Sequence, residues 1–163
     1  MTITLHLGVI DLPYTNETTP KRLPKSRPGK QRPRAKKDPV ETTGDVAKVL
    51  EAKYHVIETF YDLHEEEIAQ DFADEMTGAL ESLIMGAPVP ADPLAGATSK
   101  LEQRFREYLD REEIAETATP GVPTKAALRG VNHRLKTNRG PRRPSFIDTG
   151  LYQSSFKAWT DPT

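Results

Sequence analysis

The chain has 163 residues, which is enough for one domain or for one domain with an extended arm. It contains no cysteine, which excludes disulfide frameworks, thiolate metal sites and thiol nucleophiles. Hydrophobic residues make up only 36% of the chain, so the core is small, and a formal net charge of −1 gives no overall attraction to nucleic acid.

The charge is strongly segregated along the chain. Residues 41–119 contain 19 acidic and six basic side chains, whereas residues 121–147 contain seven basic side chains and no acidic one. A first positive segment has nine cations and no acid: Lys21, Arg22, Lys25, Arg27, Lys30, Arg32, Arg34, Lys36 and Lys37. Two positive segments therefore flank a negative middle, a pattern that indicates charge-guided contacts.

Residues 2–10 alternate between apolar and polar side chains, the period of a half-buried β-strand. An isolated strand is unstable, so it needs a partner, which is either the C-terminal strand or a neighbouring subunit. No apolar run reaches the roughly 20 residues that span a bilayer, and the N-terminus lacks the pattern of a signal peptide. We therefore predict no membrane association.

Residues 15–39, which we call the basic arm, contain the nine cations, five prolines and almost no apolar side chain. This composition predicts an extended segment that cannot form a core of its own. Either a neighbouring subunit holds the basic arm, or the arm follows its own subunit. We divide the chain into an N-terminal strand with the basic arm, residues 1–40, and a helical body, residues 41–163.

A long acidic helix is predicted from Thr42, which forms a capping box with Asp45. The apolar positions follow a helical repeat as far as Ile68 and then recur every four residues, so the apolar stripe winds around the axis. Its packing partner must then change, or the helix must break. Continuous to Met85, the helix would be about 60 Å long.

Two shorter helices follow a loop at residues 86–93. Ser99 and Glu102 have the spacing of a second capping box, and Thr124 is placed to cap a helix with Leu128, Val131 and Leu135 facing inward. Residues 146–159 are predicted as a turn and a strand, or as a short helix followed by a strand. The fold class is therefore α+β.

Three carboxylates, Glu67, Asp71 and Glu75, lie at i, i+4 and i+8 on the long helix, with His64 beside them. A metal site needs ligands that converge from several elements or a His-Glu-x-x-His motif, and neither is visible. We interpret the row as a solvated face or as a docking surface for a neighbour's basic arm, and we predict no metal.

No nucleotide-binding glycine motif and no Gly-x-Ser-x-Gly elbow occurs in the chain, so we predict no catalytic residue and no cofactor. Tyr152, Phe156 and Trp159, near several arginines, have two interpretations. They are a base-stacking platform or, as is usual for aromatic residues in a strand, part of the core.

The segment at residues 147–155 reads Ile-Asp-Thr-Gly-Leu-Tyr-Gln-Ser-Ser. It resembles the (V/I)-D-T-G-x-L-x-x-S segment of tailed-phage tail-completion and head–tail joining proteins, with Tyr152 in place of the leucine. Asp148, Thr149 and Gly150 are predicted to shape the turn that presents Leu151, Phe156 and Trp159. Asp-Thr-Gly also marks aspartic proteases, but those enzymes need two such aspartates in an all-β context.

The resemblance implies a structural virion protein, made in the bacterial cytoplasm, that forms a homo-oligomeric ring at the head–tail neck or at the tail end. Its expected partners are other neck, portal or tail proteins, with transient contact to packaged DNA. We expect that removing residues 1–40 weakens the assembly and leaves the helix content nearly unchanged. The alternatives are a tail or baseplate component, and a non-specific nucleic-acid-binding module that uses residues 21–37 and 129–143.

Overall fold

A computed structural model describes residues 3–14, 42–88, 90–131 and 140–162. Our predictions for the basic arm and for the helix beyond Val131, including Leu135, lie outside the described residues. The described part contains the strands and helices β1 (Ile3–Val9), α1 (Thr43–Tyr54), α2 (Val56–Ile84), α3 (Ala95–Arg111), α4 (Lys125–Arg129), α5 (Leu151–Ser155) and β2 (Phe156–Pro162). The predicted α+β class is confirmed.

The N-terminal strand pairs with the C-terminal strand of the same chain. β1 and β2 form a two-stranded antiparallel sheet whose register runs from Ile3 opposite Pro162 to Val9 opposite Phe156. Leu5, Leu7 and Val9 pack against the core. Of the two predicted partners for β1, the structure therefore has the C-terminal strand, and β1 lies against the helical body.

The described residues that flank the basic arm lie side by side. Pro13 and Thr42 form an isolated antiparallel bridge. Next to it, the Thr43 backbone N–H donates to the Leu12 carbonyl at 2.9 Å, and the Thr43 hydroxyl donates to the Ile10 carbonyl at 2.6 Å. The capping box between Thr42 and Asp45 is present as predicted. The chain thus enters and leaves the basic arm at one point on the body.

The long acidic helix is divided at His55, which adopts a left-handed conformation with φ of 50°. The helix is then continuous from Val56 to Ile84, about 44 Å, so it does not break after Ile68. The carboxylate of Glu51 accepts hydrogen bonds from the backbone N–H groups of Ile57 (2.9 Å) and Glu58 (3.1 Å). It thereby caps the N-terminus of α2, where no N-cap side chain does so.

Aromatic rings from α2, α3 and β2 form the centre of the core. Phe105 of α3 stacks on Phe156 of β2 with ring centroids 3.9 Å apart, and Phe60 of α2 meets Phe105 edge-on at 5.1 Å. Glu102 joins the same two elements because it accepts a hydrogen bond from the Lys157 ammonium at 2.7 Å. The C-terminal strand is thus fixed to the helical body.

Two details of the predicted helices are wrong. Ser99 does not begin a helix, because α3 already begins at Ala95, after a turn in which the Leu94 N–H donates to the Asp92 carboxylate. Thr124 caps α4 as predicted, but α4 ends at Arg129 because Gly130 adopts a left-handed conformation. Leu128 does not face inward, because its side chain is 51% exposed.

None of the helices in the described ranges is long and apolar enough to cross a membrane.

Candidate functional site

The turn at residues 142–150 is anchored by a buried carboxylate. Oε1 of Glu112 accepts hydrogen bonds from the Ser145 backbone N–H (2.9 Å) and hydroxyl (2.6 Å), and Oε2 accepts one from Arg142 (2.6 Å). The Ser145 hydroxyl also accepts a hydrogen bond from the Thr124 N–H. Burial would raise the pKa of Glu112, but the hydrogen bonds from Ser145 and Arg142 outweigh burial and lower it.

Two residues of this region adopt left-handed backbone conformations without being glycine. They are Glu112, with φ of 58°, and Phe146, with φ of 68°. Such conformations cost roughly 1 kcal/mol or more and persist where surrounding contacts fix them. The Phe146 ring packs against Tyr54 of α1, with ring centroids 4.9 Å apart. The network around Glu112 therefore fixes the direction in which the turn presents Phe146.

The Asp148-Thr149-Gly150 segment forms the predicted turn. Gly150 has φ of 76° and precedes α5, and the Thr149 hydroxyl accepts a hydrogen bond from the Leu151 N–H at 3.4 Å. The Asp148 carboxylate lies 3.3 Å from the Arg143 guanidinium. Of the side chains that the turn presents, Phe156 is in the core, Leu151 is partly buried and Trp159 is exposed.

A cavity of about 320 Å³ lies between this turn, α1 and α4. A second cavity, of about 490 Å³, shares three wall residues with it, so the two form one groove along the turn. No pattern in the sequence indicates this cavity, because its walls include segments more than 100 residues apart. The residues that matter for its chemistry are Tyr14, Tyr54, Arg143, Phe146, Asp148 and Tyr152.

In the cavity wall, the hydroxyl oxygen of Tyr152 and Nε of Arg143 are buried without a hydrogen-bond partner in the described part of the chain. Tyr152 is only 3% exposed, and burial is the main cause that raises the pKa of its hydroxyl. A buried hydroxyl without a hydrogen-bond partner destabilises a protein, and the Tyr152 hydroxyl in this site still lacks an acceptor among the described residues.

The predicted carboxylate row has partners on α3 of the same chain. The guanidinium of Arg104 contacts both Glu67 and Asp71, and the Lys100 ammonium lies 3.5 Å from Asp71 and 3.6 Å from Glu75. Part of the row's charge is thus neutralised within the chain. Its use as a docking surface for a neighbour's basic arm stays a prediction.

His64 lies between two carboxylates that hold its ring. Nδ1 is 3.1 Å from Glu67, and Nε2 is 2.9 Å from Glu113. A different set of side chains, Glu51, His55 and Glu58, brings three ligand-type atoms within 4.8 Å of one another. The Glu51 carboxylate already caps α2, so capping accounts for this arrangement.

The C-terminal end of α2 carries large apolar side chains in contact with solvent. Gly96, near the start of α3, lies against the Glu75 carboxylate, so α2 continues past α3 for more than two turns. Glu81 is the only charged residue between Met76 and Pro88. The exposed side chains, which we call the apolar tip, are Met76, Leu80, Leu83, Ile84 and Met85, and the last two are 83% and 84% exposed.

Of the two interpretations of the C-terminal aromatic residues, the core is right for Tyr152 and Phe156, which are buried, and base stacking is wrong for them. Trp159 alone faces outward, stacked on His6 with ring centroids 5.3 Å apart. Two arginines of the second positive segment are also occupied, since Arg142 binds Glu112 and Arg143 contacts Asp148.

The predicted interface cations of the basic arm lie outside the described residues. Comparison of the chain with known proteins gives no matching family model, no matching curated protein and no matching solved structure.

Proposed function

We propose that the protein is a structural component of a tailed-phage virion, located at the head–tail neck or at the end of the tail. In this proposal, identical copies assemble into a closed ring and the protein catalyses no reaction. The resemblance at residues 147–155 suggests the setting, and the surface of the described residues supports assembly.

The apolar tip is the observation that carries the proposal. Met76, Leu80 and Leu83 follow one another at helical spacing, so they and Ile84 form one continuous face. Contiguous exposed apolar faces are rare on monomers and mark interaction surfaces. Burying one such side chain contributes roughly 1.5–3 kcal/mol, so four of them are enough to hold a contact between subunits.

We assign a second copy of this chain as the partner of the apolar tip. Glu81 alone among residues 76–88 is charged, so an identical tip meets little like-charge repulsion. The two-stranded sheet adds a second surface for association, because in the described part no third strand pairs with either of its strands. A ring needs a contact that repeats around an axis, and the apolar tip and the two-stranded sheet are two surfaces through which subunits can make such contacts.

The oligomeric state of the full chain tests this proposal. We expect native mass measurement to show one defined oligomer of the unmodified protein. A double substitution, Leu83→Asp with Ile84→Asp, should reduce it to smaller species, because two charges would have to be buried. Leu128→Asp is the matched control, because Leu128 is also exposed but lies on α4. A monomeric unmodified protein would contradict the proposal.

The nucleic-acid-binding alternative is separated from the ring by a titration with DNA across salt concentrations. Tight binding by the unmodified protein, with a steep loss of affinity as salt rises, would favour the alternative. The engagement of Arg142 and Arg143 within the chain leaves fewer cations for phosphate groups. We therefore prefer the ring-forming virion protein to the nucleic-acid-binding module. A tail or baseplate position is a second location for the same structural role.

A further inference from the structure

The cavity beside the Asp148-Thr149-Gly150 turn has the chemistry of a site for a short apolar peptide segment. Tyr54 and Phe146 form an aromatic wall, and Val46 and Leu50 add aliphatic surface. Arg143 and Asp148 neutralise each other at 3.3 Å, so the walls carry no net charge. The walls themselves therefore favour contact with an apolar group over contact with a charged one.

The two unpartnered polar atoms define what else the occupant must offer. The Tyr152 hydroxyl and the Arg143 Nε–H are both donors, and neither finds an acceptor among the described residues. A backbone carbonyl is a neutral acceptor that suits them. Aromatic walls with a hydroxyl that donates to a peptide carbonyl are the features by which grooves bind extended, proline-containing segments.

The chain itself contains such a segment, tethered to a residue of the cavity wall. Tyr14 lines both parts of the groove and directly precedes the basic arm, and Thr42, which follows the arm in sequence, forms a bridge with Pro13. Within residues 15–39, Leu23 is the only large aliphatic side chain, and Pro24 follows it. Leu23 lies nine positions after Tyr14, a reach of about 30 Å, so covalent geometry permits the return.

We propose that Leu23 and Pro24 of the chain's own basic arm dock in this cavity. The apolar pair covers the aromatic wall, and a carbonyl beside it accepts the hydrogen bond that Tyr152 donates. The tether raises the effective concentration of the segment to the millimolar range, so weak contacts suffice. The proposal does not depend on ring assembly, because it concerns a contact within one chain.

Limited trypsin digestion of the full chain tests the docking. The bond after Lys25 lies next to the docked pair, so docking should slow its cleavage. We expect Leu23→Asp to accelerate cleavage there, because a charge cannot be accommodated against the aromatic wall. We expect Tyr152→Phe to accelerate it roughly fivefold, the equivalent of one lost hydrogen bond. Equal rates in Leu23→Asp and in the unmodified protein would overturn the proposal.

The sign of the Tyr152→Phe effect separates docking from a merely buried hydroxyl. Without an occupant, removing an unpaired hydroxyl stabilises the body and leaves cleavage unchanged or slower. Tyr108→Phe is the control, because that buried hydroxyl already donates to the Val56 carbonyl at 3.3 Å. It should leave cleavage after Lys25 unchanged, as long as circular dichroism shows that the variant is folded.

The dependence on protein concentration identifies which copy provides the segment. Docking within one chain predicts the same protection at every concentration and in the Leu83→Asp, Ile84→Asp variant. Protection that rises with concentration, or that disappears in this variant, would assign the segment to a second copy and overturn the proposal. If the unmodified protein is a monomer, the ring fails and the digestion result is unaffected.

Discussion

Glu112 and Ser145, 33 residues apart, share one carboxylate oxygen through two hydrogen bonds, of 2.9 Å from the backbone N–H and 2.6 Å from the hydroxyl. Glu112 is also the left-handed residue that ends α3. One residue thus ends a helix through its backbone and, through its side chain, holds the turn that forms a wall of the cavity. The fold and the candidate site therefore depend on the same interaction.

Replacing Glu112 with glutamine should destabilise the protein by roughly 2 kcal/mol, because the buried hydrogen bonds from Ser145 lose their charged acceptor. Equilibrium unfolding in urea measures the difference. Glu116→Gln is the control, because Glu116 is exposed and near in sequence, and it should change stability by less than about 0.5 kcal/mol. A cost for Glu112→Gln as small as that of the control would show that the anchor is unimportant.

The free energy of unfolding should decrease as the pH is lowered, and protonation of Glu112 should contribute to this decrease. Hydrogen bonds from Ser145 and Arg142 hold the pKa of Glu112 below the ordinary 4.5. Because a lowered pKa means that the unfolded chain binds the proton first, this contribution is fully present above about pH 5. This contribution is lost as the pH falls through the pKa that Glu112 has in the folded protein. Unfolding free energies between pH 7 and 3 should therefore decrease less steeply in Glu112→Gln than in the unmodified protein.

Local signals in the sequence predicted the elements that local chemistry determines. The Thr42–Asp45 capping box, the Thr124 cap and the positive φ of Gly150 are all present, because each needs only neighbours within a few residues. The alternation before Ile10 identified β1, although it did not decide the partner.

The features that sequence reasoning missed depend on distant contacts. No glycine or proline marks the break at His55, and the Glu51 carboxylate that caps α2 comes from the preceding helix. In the sequence, nothing distinguishes Glu112 from the other acidic residues, because its partner Ser145 is 33 residues away. The carboxylate row was visible, but the arginine that contacts it, Arg104, lies 37 and 33 residues away.

Glu51→Ala should destabilise the protein by about 1 kcal/mol, the usual cost of a lost helix cap, because two backbone N–H groups at the start of α2 lose their acceptor. Urea unfolding gives the value. Glu58→Ala is the control, because this side chain is exposed and contacts the His55 ring at 2.7 Å. Equal effects of the two substitutions would contradict the capping role of Glu51.

Arg104→Met should cost about 1 kcal/mol at low salt and less at high salt. The substitution leaves Glu67 and Asp71 without the guanidinium that contacts both, and these side chains are partly exposed, so salt screens the interaction. Urea unfolding of both proteins at low and high salt measures how the destabilisation depends on salt concentration. Arg106→Met is a matched control, because Arg106 lies 3.6 Å from Glu102 on a more exposed face of the same helix. An identical salt dependence in both variants would contradict the prediction.

Removing the basic arm should separate its role from that of β1. We expected loss of residues 1–40 to leave the helix content nearly unchanged, but those residues include β1, whose Leu5 and Leu7 pack against the core. That truncation should therefore lower stability as well as assembly. Replacing residues 16–40 with a short Gly-Ser linker keeps β1 and the Pro13–Thr42 bridge, so circular dichroism should be unchanged.

The linker variant should form a weaker oligomer than the unmodified protein, because nine cations that can pair with acidic residues of a neighbour are gone. Native mass measurement over a dilution series provides the comparison. The same experiment on a variant with Lys21, Arg22 and Lys25 changed to glutamine retains the length of the arm and isolates the effect of charge. A linker variant that stays as fully assembled as the unmodified protein would show that the basic arm has no part in assembly, and the proposed ring would then rest on the apolar tip and the two-stranded sheet.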